Sequence, residues 1–129
     1  MLEKFPFAKV LLANRPELAE SLFVLWRLTK QNRWREYAWK LAESIDLNCG
    51  TPHGFAGCER VDQTPLKRFT YQPVHLVSAT LKYLYLIFAE DDTIELDKWV
   101  FNAFGHPLPV KGANEAYPAN GPYVPSTFN

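Results

Sequence analysis

Charge of one sign, cysteine and long apolar runs are all scarce in this chain, and each scarcity removes a class of function. Of 129 residues, 14 are basic and 14 acidic, so the formal net charge is zero. No net field draws in nucleic acid or an anionic membrane. No apolar run reaches the about 18 residues of a membrane span. Residues 1–14 hold a short apolar patch, Val10-Leu11-Leu12-Ala13, too short for a secretory signal of the usual form. The two cysteines, Cys49 and Cys58, fit one bridge or two thiols, which leaves the redox compartment open. There is no internal repeat, no phosphate-cradling glycine motif and no Gly-x-Ser-x-Gly elbow. His53, His75 and His106 are far apart and lack metal-ligand spacing, so they read as ordinary histidines and no metal ligand is assigned.

What the chain does have is apolar content. Apolar residues make up 47% and aromatics 15%, enough for the core of one domain at most. Residues 1–13 read as a lead-in. A first helix is expected over 16–29, with Leu18, Leu22, Leu25 and Trp26 at helical spacing. Asn32 is placed to cap a second helix over 33–47, whose stripe is Trp34, Tyr37, Ala38, Leu41 and Ile45. Asn48 and Gly50 end it, and the short link makes the two helices an antiparallel hairpin. Residues 50–72 are punctuated by glycine and proline, with room for a brief strand near Phe55 or Val61. A third helix is expected over 73–88, with Val77, Leu81, Leu84, Tyr85 and Phe88 on one face. Glu90-Asp91-Asp92 after it carries the wrong charge for a helix C-terminus, which predicts solvated carboxylates. Residues 94–101 read as strand-like, 102–110 as an ordered turn, and 111–129 as a disordered Pro/Gly/Asn-rich tail.

One stretch concentrates chemistry. In residues 14–29, Arg15, Glu17, Glu20 and Ser21 crowd the first turns of a helix that becomes almost wholly apolar. Pro16 suits the first helical position, having a fixed φ and no amide hydrogen. Glu17 and Glu20 share a face near the positive end of the helix dipole. Such a mouth is either a well-started amphipathic helix or a pair of carboxylates and an arginine offered to a ligand. Local physics does not choose between the two.

Three stretches in register do choose. Arg15-Pro16-Glu17 followed by Glu20-Ser21-Leu22 and Arg27-Leu28-Thr29 is the first. Residues 80–88, Thr80-Leu81-Lys82-Tyr83-Leu84-Tyr85-Leu86-Ile87-Phe88, are the second, and Val100-Phe101-Asn102 with His106-Pro107-Leu108-Pro109 the third. With the glycine-containing segment Gly54-Phe55-Ala56-Gly57 and Val61 between them, residues 14–110 resemble the C-terminal part of the family 47 glycoside hydrolases, the class I α-1,2-mannosidases. The resemblance implies an all-α fold in which this chain is a partial (αα)7 barrel: about three to four helices in hairpins with a short β-hairpin. It implies inverting removal of terminal α-1,2-mannose from high-mannose N-glycans in the endoplasmic reticulum and Golgi, with a calcium ion as cofactor. Glu17 matches the catalytic base, and Arg15 and Glu20 match residues lining the substrate pocket, Glu20 near the calcium waters. Glu17 is accordingly expected to face the turn around Ala103.

The departures are as specific as the matches. Ala79 stands where the family has a glutamate, and His75 where it has an aromatic platform. Ala103-Phe104-Gly105 replaces Thr-Glu-Ala, removing a calcium-binding hydroxyl and a nearby carboxylate. Since calcium takes six to eight oxygen ligands, its site is expected to be lost or severely weakened. The upstream acid carboxylates have no match, and Asp46, Asp62 and Asp97 lie in no family motif. Inversion needs an acid as well as a base, so the chain is expected to be inactive in isolation and to need a missing upstream barrel segment. The alternative is a non-catalytic helical module that binds glycan or a protein partner. The aromatics Trp26, Trp34, Tyr37 and Trp39 favour that, being too many for so few helices to cover.

Overall fold

The computed structural model describes residues 15–58 and 65–124. The lead-in, Val61, Asp62 and residues 125–129 therefore lie outside the described residues. The expected all-α class with a small hairpin is what the chain adopts. Helix α1 spans Pro16–Thr29 and α2 spans Arg33–Cys49, two residues longer than read. Strands β1 (Gly50–Thr51) and β2 (Gly54–Phe55) form an antiparallel hairpin directly off the end of α2. A π-helical segment, Leu76–Leu81, runs into α3, Lys82–Phe88. A 3₁₀ turn at Asp91–Thr93 then leads to β3 (Trp99–Phe101), which pairs with β4 (Pro107–Pro109).

Helix α1 is the hub, packed against α2, the π-helical segment and α3. Its buried residues Ala19, Leu22 and Phe23 meet Ala38, Ile45 and Cys49 of α2 and Leu76, Ala79, Tyr83, Leu84, Leu86 and Ile87 of the third helix. Burying a side chain such as Phe23 or Leu76 contributes roughly 1.5–3 kcal/mol each. Pro16 does stand at the start of α1, and Lys30, at φ 54, closes it with its amide donated to the Trp26 carbonyl at 2.9 Å.

Four expectations are corrected. Asn32 has helical instead of extended backbone angles and its side chain makes no cap, and the Trp34 amide that such a cap would serve goes to the Gln31 carbonyl. The third helix buries the neighbouring stripe instead of the one read: Leu76, Ala79, Thr80, Tyr83, Leu84 and Ile87 face inward, while Val77 (53% exposed) and Tyr85 (66%) face out. That helix is apolar nearly all round, so periodicity cannot fix its phase and contact with α1 does. Only Trp99–Phe101 of the strand-like segment pairs. Residues 111–124 are folded: the Asn114 side chain is buried, donates to the Lys98 carbonyl at 3.0 Å and accepts from the Ala116 amide at 2.9 Å. One carboxamide thus supplies the anchor that composition alone did not reveal.

The Glu90-Asp91-Asp92 residues are exposed, as expected, and the positive charge at this helix end comes from elsewhere. Arg27, only 5% exposed, donates to the carbonyls of Leu86 at 3.4 Å, Glu90 at 3.2 Å and Ile94 at 3.3 Å, and to that of Asp91. Arg35 donates to Ile87 at 3.1 Å and Phe88 at 3.4 Å. Two guanidiniums from other helices supply the positive charge that the end of α3 lacks in its own sequence. Of the surplus aromatics, Trp26 and Trp34 are half-buried, whereas Tyr37 (48%) and Trp39 (57%) are exposed.

Candidate functional site

Arg15 precedes α1 in an extended conformation, at φ −85 and ψ 134, and makes no side-chain cap. Its guanidinium instead lies 3.8 Å from the Glu17 carboxylate, with the side chains 59% and 65% exposed. Such an exposed pair contributes little to stability. Glu17 therefore stands open at the helix mouth. No hydrogen bond or ion pair among the described residues joins it to the turn around Ala103, so the expected facing of these two is not seen as a contact.

Glu20, one turn on, faces inward. It is half-buried and acts on the hydroxyl of Tyr83, a residue 1% exposed. Among the described residues that hydroxyl makes no hydrogen bond of good geometry. Burial first, then the charge of Glu20 and a loose hydrogen bond to it, push the Tyr83 phenol up to about 12. The Tyr83 ring packs on Phe101 at 5.2 Å and on Phe23 at 5.7 Å, and Phe23 meets Phe101 edge-on at 5.9 Å. Glu20 and Phe23 come from α1, Tyr83 from α3 and Phe101 from β3. The three motif-bearing stretches thus meet through one aromatic cluster.

Beyond Phe101 the chain turns tightly. Asn102 Oδ1 accepts the amides of Phe104 at 2.9 Å and His106 at 3.0 Å, and the Lys82 ammonium donates to the Gly105 carbonyl at 2.6 Å. Gly105 has φ +71, and a Cβ there would stand 2.9 Å from Ala79 Cβ and 3.0 Å from the Ser78 carbonyl. The turn therefore rests directly on Ala79, in the π-helical segment. Wide π turns occur disproportionately at functional sites, and within this one the buried Ser78 hydroxyl has no hydrogen-bond partner among the described residues. His75, just before it, is half-buried; His53 and His106 are exposed. Asp46 and Asp97 are exposed too, and Asp46 serves the end of α2 through its carbonyl, which accepts the Gly50 amide.

Sequence reasoning missed Ser78 and the role of Tyr83. Nothing in residues 76–81 marks a π turn, there being neither glycine nor proline, and Tyr83 lay on no stripe that periodicity selected. The shallow groove lined by Arg35, Trp39, Lys40 and Phe88 includes neither Arg15, Glu17 and Glu20 nor Tyr83.

Comparison with known proteins places the chain in a family. The family model described as glycosyl hydrolase family 47 matches residues 7–110. Mannosyl-oligosaccharide alpha-1,2-mannosidase IA of Drosophila melanogaster is 45% identical over 103 residues, covering 80% of this chain and 15% of its own. Human mannosyl-oligosaccharide 1,2-alpha-mannosidase IC is 39% identical over 102 residues, covering 79% of this chain and 16% of its own. Among solved structures, the alpha-1,2-mannosidase from Trichoderma reesei superposes with a TM-score of 0.70 at 29% identity, over 75% of this chain and 21% of that one. The chain thus spans about 15% of the length of the curated relatives it matches. With its three motif stretches joined through Glu20, Tyr83 and Phe101, and most of its length matched, the chain belongs to glycosyl hydrolase family 47.

Proposed function

We propose that this chain supplies the water-activating side of a mannosyl-oligosaccharide 1,2-α-mannosidase site, acting on terminal α-1,2-linked mannose of high-mannose N-glycans in the secretory pathway, endoplasmic reticulum or Golgi. Glu17 is the catalytic base, and Arg15 and Glu20 line the sugar pocket beside it. The observation that supports this reading best is the Glu20–Tyr83–Phe101 cluster, which gathers the three family-like stretches at one place. The open position of Glu17 at a helix mouth leaves its carboxylate accessible to a water and a sugar.

Inversion requires an acid across the bond, roughly 6.5–9.5 Å from the base. Residues 14–110 carry the base motif without an acid motif, so these 129 residues bind and do not hydrolyse; hydrolysis needs the remaining barrel hairpins. The Ala103 turn does not fit calcium. Ala103 and Phe104 bring no side-chain oxygen, Asn102 Oδ1 is engaged by two amides, and the Gly105 carbonyl is held by the Lys82 ammonium. Water activation is assigned to Glu17 alone.

The test joins this chain to the upstream hairpins of a family mannosidase and measures mannose release. Glu17→Gln is expected to lower the rate by about 10²–10⁴; unchanged trimming would remove the role given to Glu17. Calorimetry of the chain itself with a high-mannose oligosaccharide is expected to show binding that a calcium chelator leaves unchanged. A second reading, a helical module that binds protein, is favoured by the exposed stripe of Val77 and Tyr85. Absence of glycan binding would select it.

A further inference from the structure

The two cysteines of the chain come together at the far end of α2. Cys49 is its last residue and is fully buried, while Cys58 is half-buried in an isolated bridge opposite Arg68. Their sulfurs are in hydrogen-bond contact at 3.5 Å. The β1–β2 hairpin lies between them and is clasped at its base, since the Ala56 amide donates to the Cys49 carbonyl at 2.8 Å. The following loop is clasped as well: Phe69 N–H donates to Gly57 at 2.7 Å, and Arg68 Nη1 donates to Gly50 at 3.1 Å. The backbone thus holds both cysteines in place without any bond between them. A disulfide needs a sulfur–sulfur bond of about 2.05 Å, and the two sulfurs already stand at 3.5 Å.

We propose that Cys49 and Cys58 are a reversible dithiol–disulfide pair, oxidised by low-molecular-weight disulfides of the glutathione class, that locks the β1–β2 hairpin onto the end of α2. The accessible partner acts first. Cys58, half-buried, attacks one sulfur of the small disulfide as a thiolate, and one thiol leaves as the mixed disulfide forms. Cys49 then gives up its proton and attacks the Cys58 sulfur, releasing the second thiol and closing the ring. Two protein thiols become one disulfide while one small disulfide becomes two thiols. Burial foremost, with the Cys58 contact, pushes the Cys49 thiol up to about 12, consistent with Cys49 as the slow, second partner.

The test is a redox titration of the full chain in glutathione buffers, read by thiol count and by peptide mapping under non-reducing conditions. These two residues are its only cysteines, so both thiols are expected to disappear together and a single intramolecular Cys49–Cys58 peptide to appear. The oxidised form is expected to resist proteolysis in the 50–58 hairpin several-fold more than the reduced form. Two thiols that persist in oxidised glutathione, or links formed only between chains, overturn the proposal. Cys58→Ala separates the order of attack: buried Cys49 is then expected to acquire glutathione at least tenfold more slowly than Cys58 does in the unaltered chain. An equal rate overturns the assignment of Cys58 as first nucleophile.

Discussion

Arg27 and Asp91 meet across the end of α3, the Arg27 Nε 3.6 Å from the Asp91 carboxylate, with one side chain 5% and the other 60% exposed. The buried partner carries the energy. Arg27 satisfies four carbonyls from the end of α3 through the following turn, and Arg27→Ala would orphan them in a half-buried setting. A loss of about 3 kcal/mol is expected, seen as a lower denaturant midpoint. Arg27→Lys is expected to recover little, because a single ammonium cannot reproduce the guanidinium fork.

Asp91 gives a pH dependence of known sign. A hydrogen bond from Lys30, foremost, holds its carboxyl below the usual carboxylate range against the opposing effect of desolvation, and the charges of Lys30, Arg27 and Arg35 add to it. A group depressed in the folded state stabilises above its unfolded pKa of about 3.9. That contribution is lost as pH falls through the lower folded value. Carboxyl NMR titration checks it, and Lys30→Ala is expected to return Asp91 toward the ordinary value.

Tyr83 works in the opposite direction. Its phenol is raised to about 12, so the folded chain favours the protonated form. The associated stability is complete below the ordinary tyrosine value of about 10 and is lost as pH climbs toward the folded value. Alkaline unfolding followed by phenolate absorbance should show one tyrosine ionising only as the chain unfolds. Because the hydroxyl has no well-formed hydrogen bond, Tyr83→Phe is expected to change stability by less than about 1 kcal/mol and to remove that late ionisation.

Ala79 and the turn above it make a steric prediction. Ala79 is fully buried, and a Cβ on Gly105 would stand 2.9 Å from its own Cβ. Restoring the family glutamate as Ala79→Glu is therefore expected to cost about 2–4 kcal/mol, from a carboxyl forced under a closed turn without a partner. Urea titration measures it. A tolerated change would show that the turn opens readily.

Glu17→Gln separates function from stability. Among the described residues its exposed carboxylate has only the loose Arg15 pair, so the melting temperature should stay the same while hydrolysis by the assembled barrel falls steeply. A substantial fall in melting temperature would instead give Glu17 a structural role.

The sequence and the structure agree where a pattern is local. Helices α1 and α2 are bounded by Pro16, a polar link and Gly50, and their stripes have one dominant phase. The third helix offers apolar residues on nearly every side, so only contact with α1 selects Leu76 and Tyr83 over Val77 and Tyr85. Long-range bonds are invisible to any window: Arg27 reaches carbonyls 59 to 67 positions away. The aromatic contact of Tyr83 with Phe101 is likewise tertiary. Of the candidate site, the polar residues Arg15, Glu17 and Glu20 stand out in the sequence because they are close neighbours in it. The aromatic contacts beneath Glu20 do not.

The guanidiniums that finish α3 have a consequence for modularity. Because Arg27 of α1 and Arg35 of α2 reach the end of a helix some fifty residues or more further on, α3 does not end cleanly when its neighbours are cut away. Removing α1 or α2 leaves raw carbonyls at the end of α3, and removing α3 strands a buried cation on α1, so a transplanted piece needs all three helices.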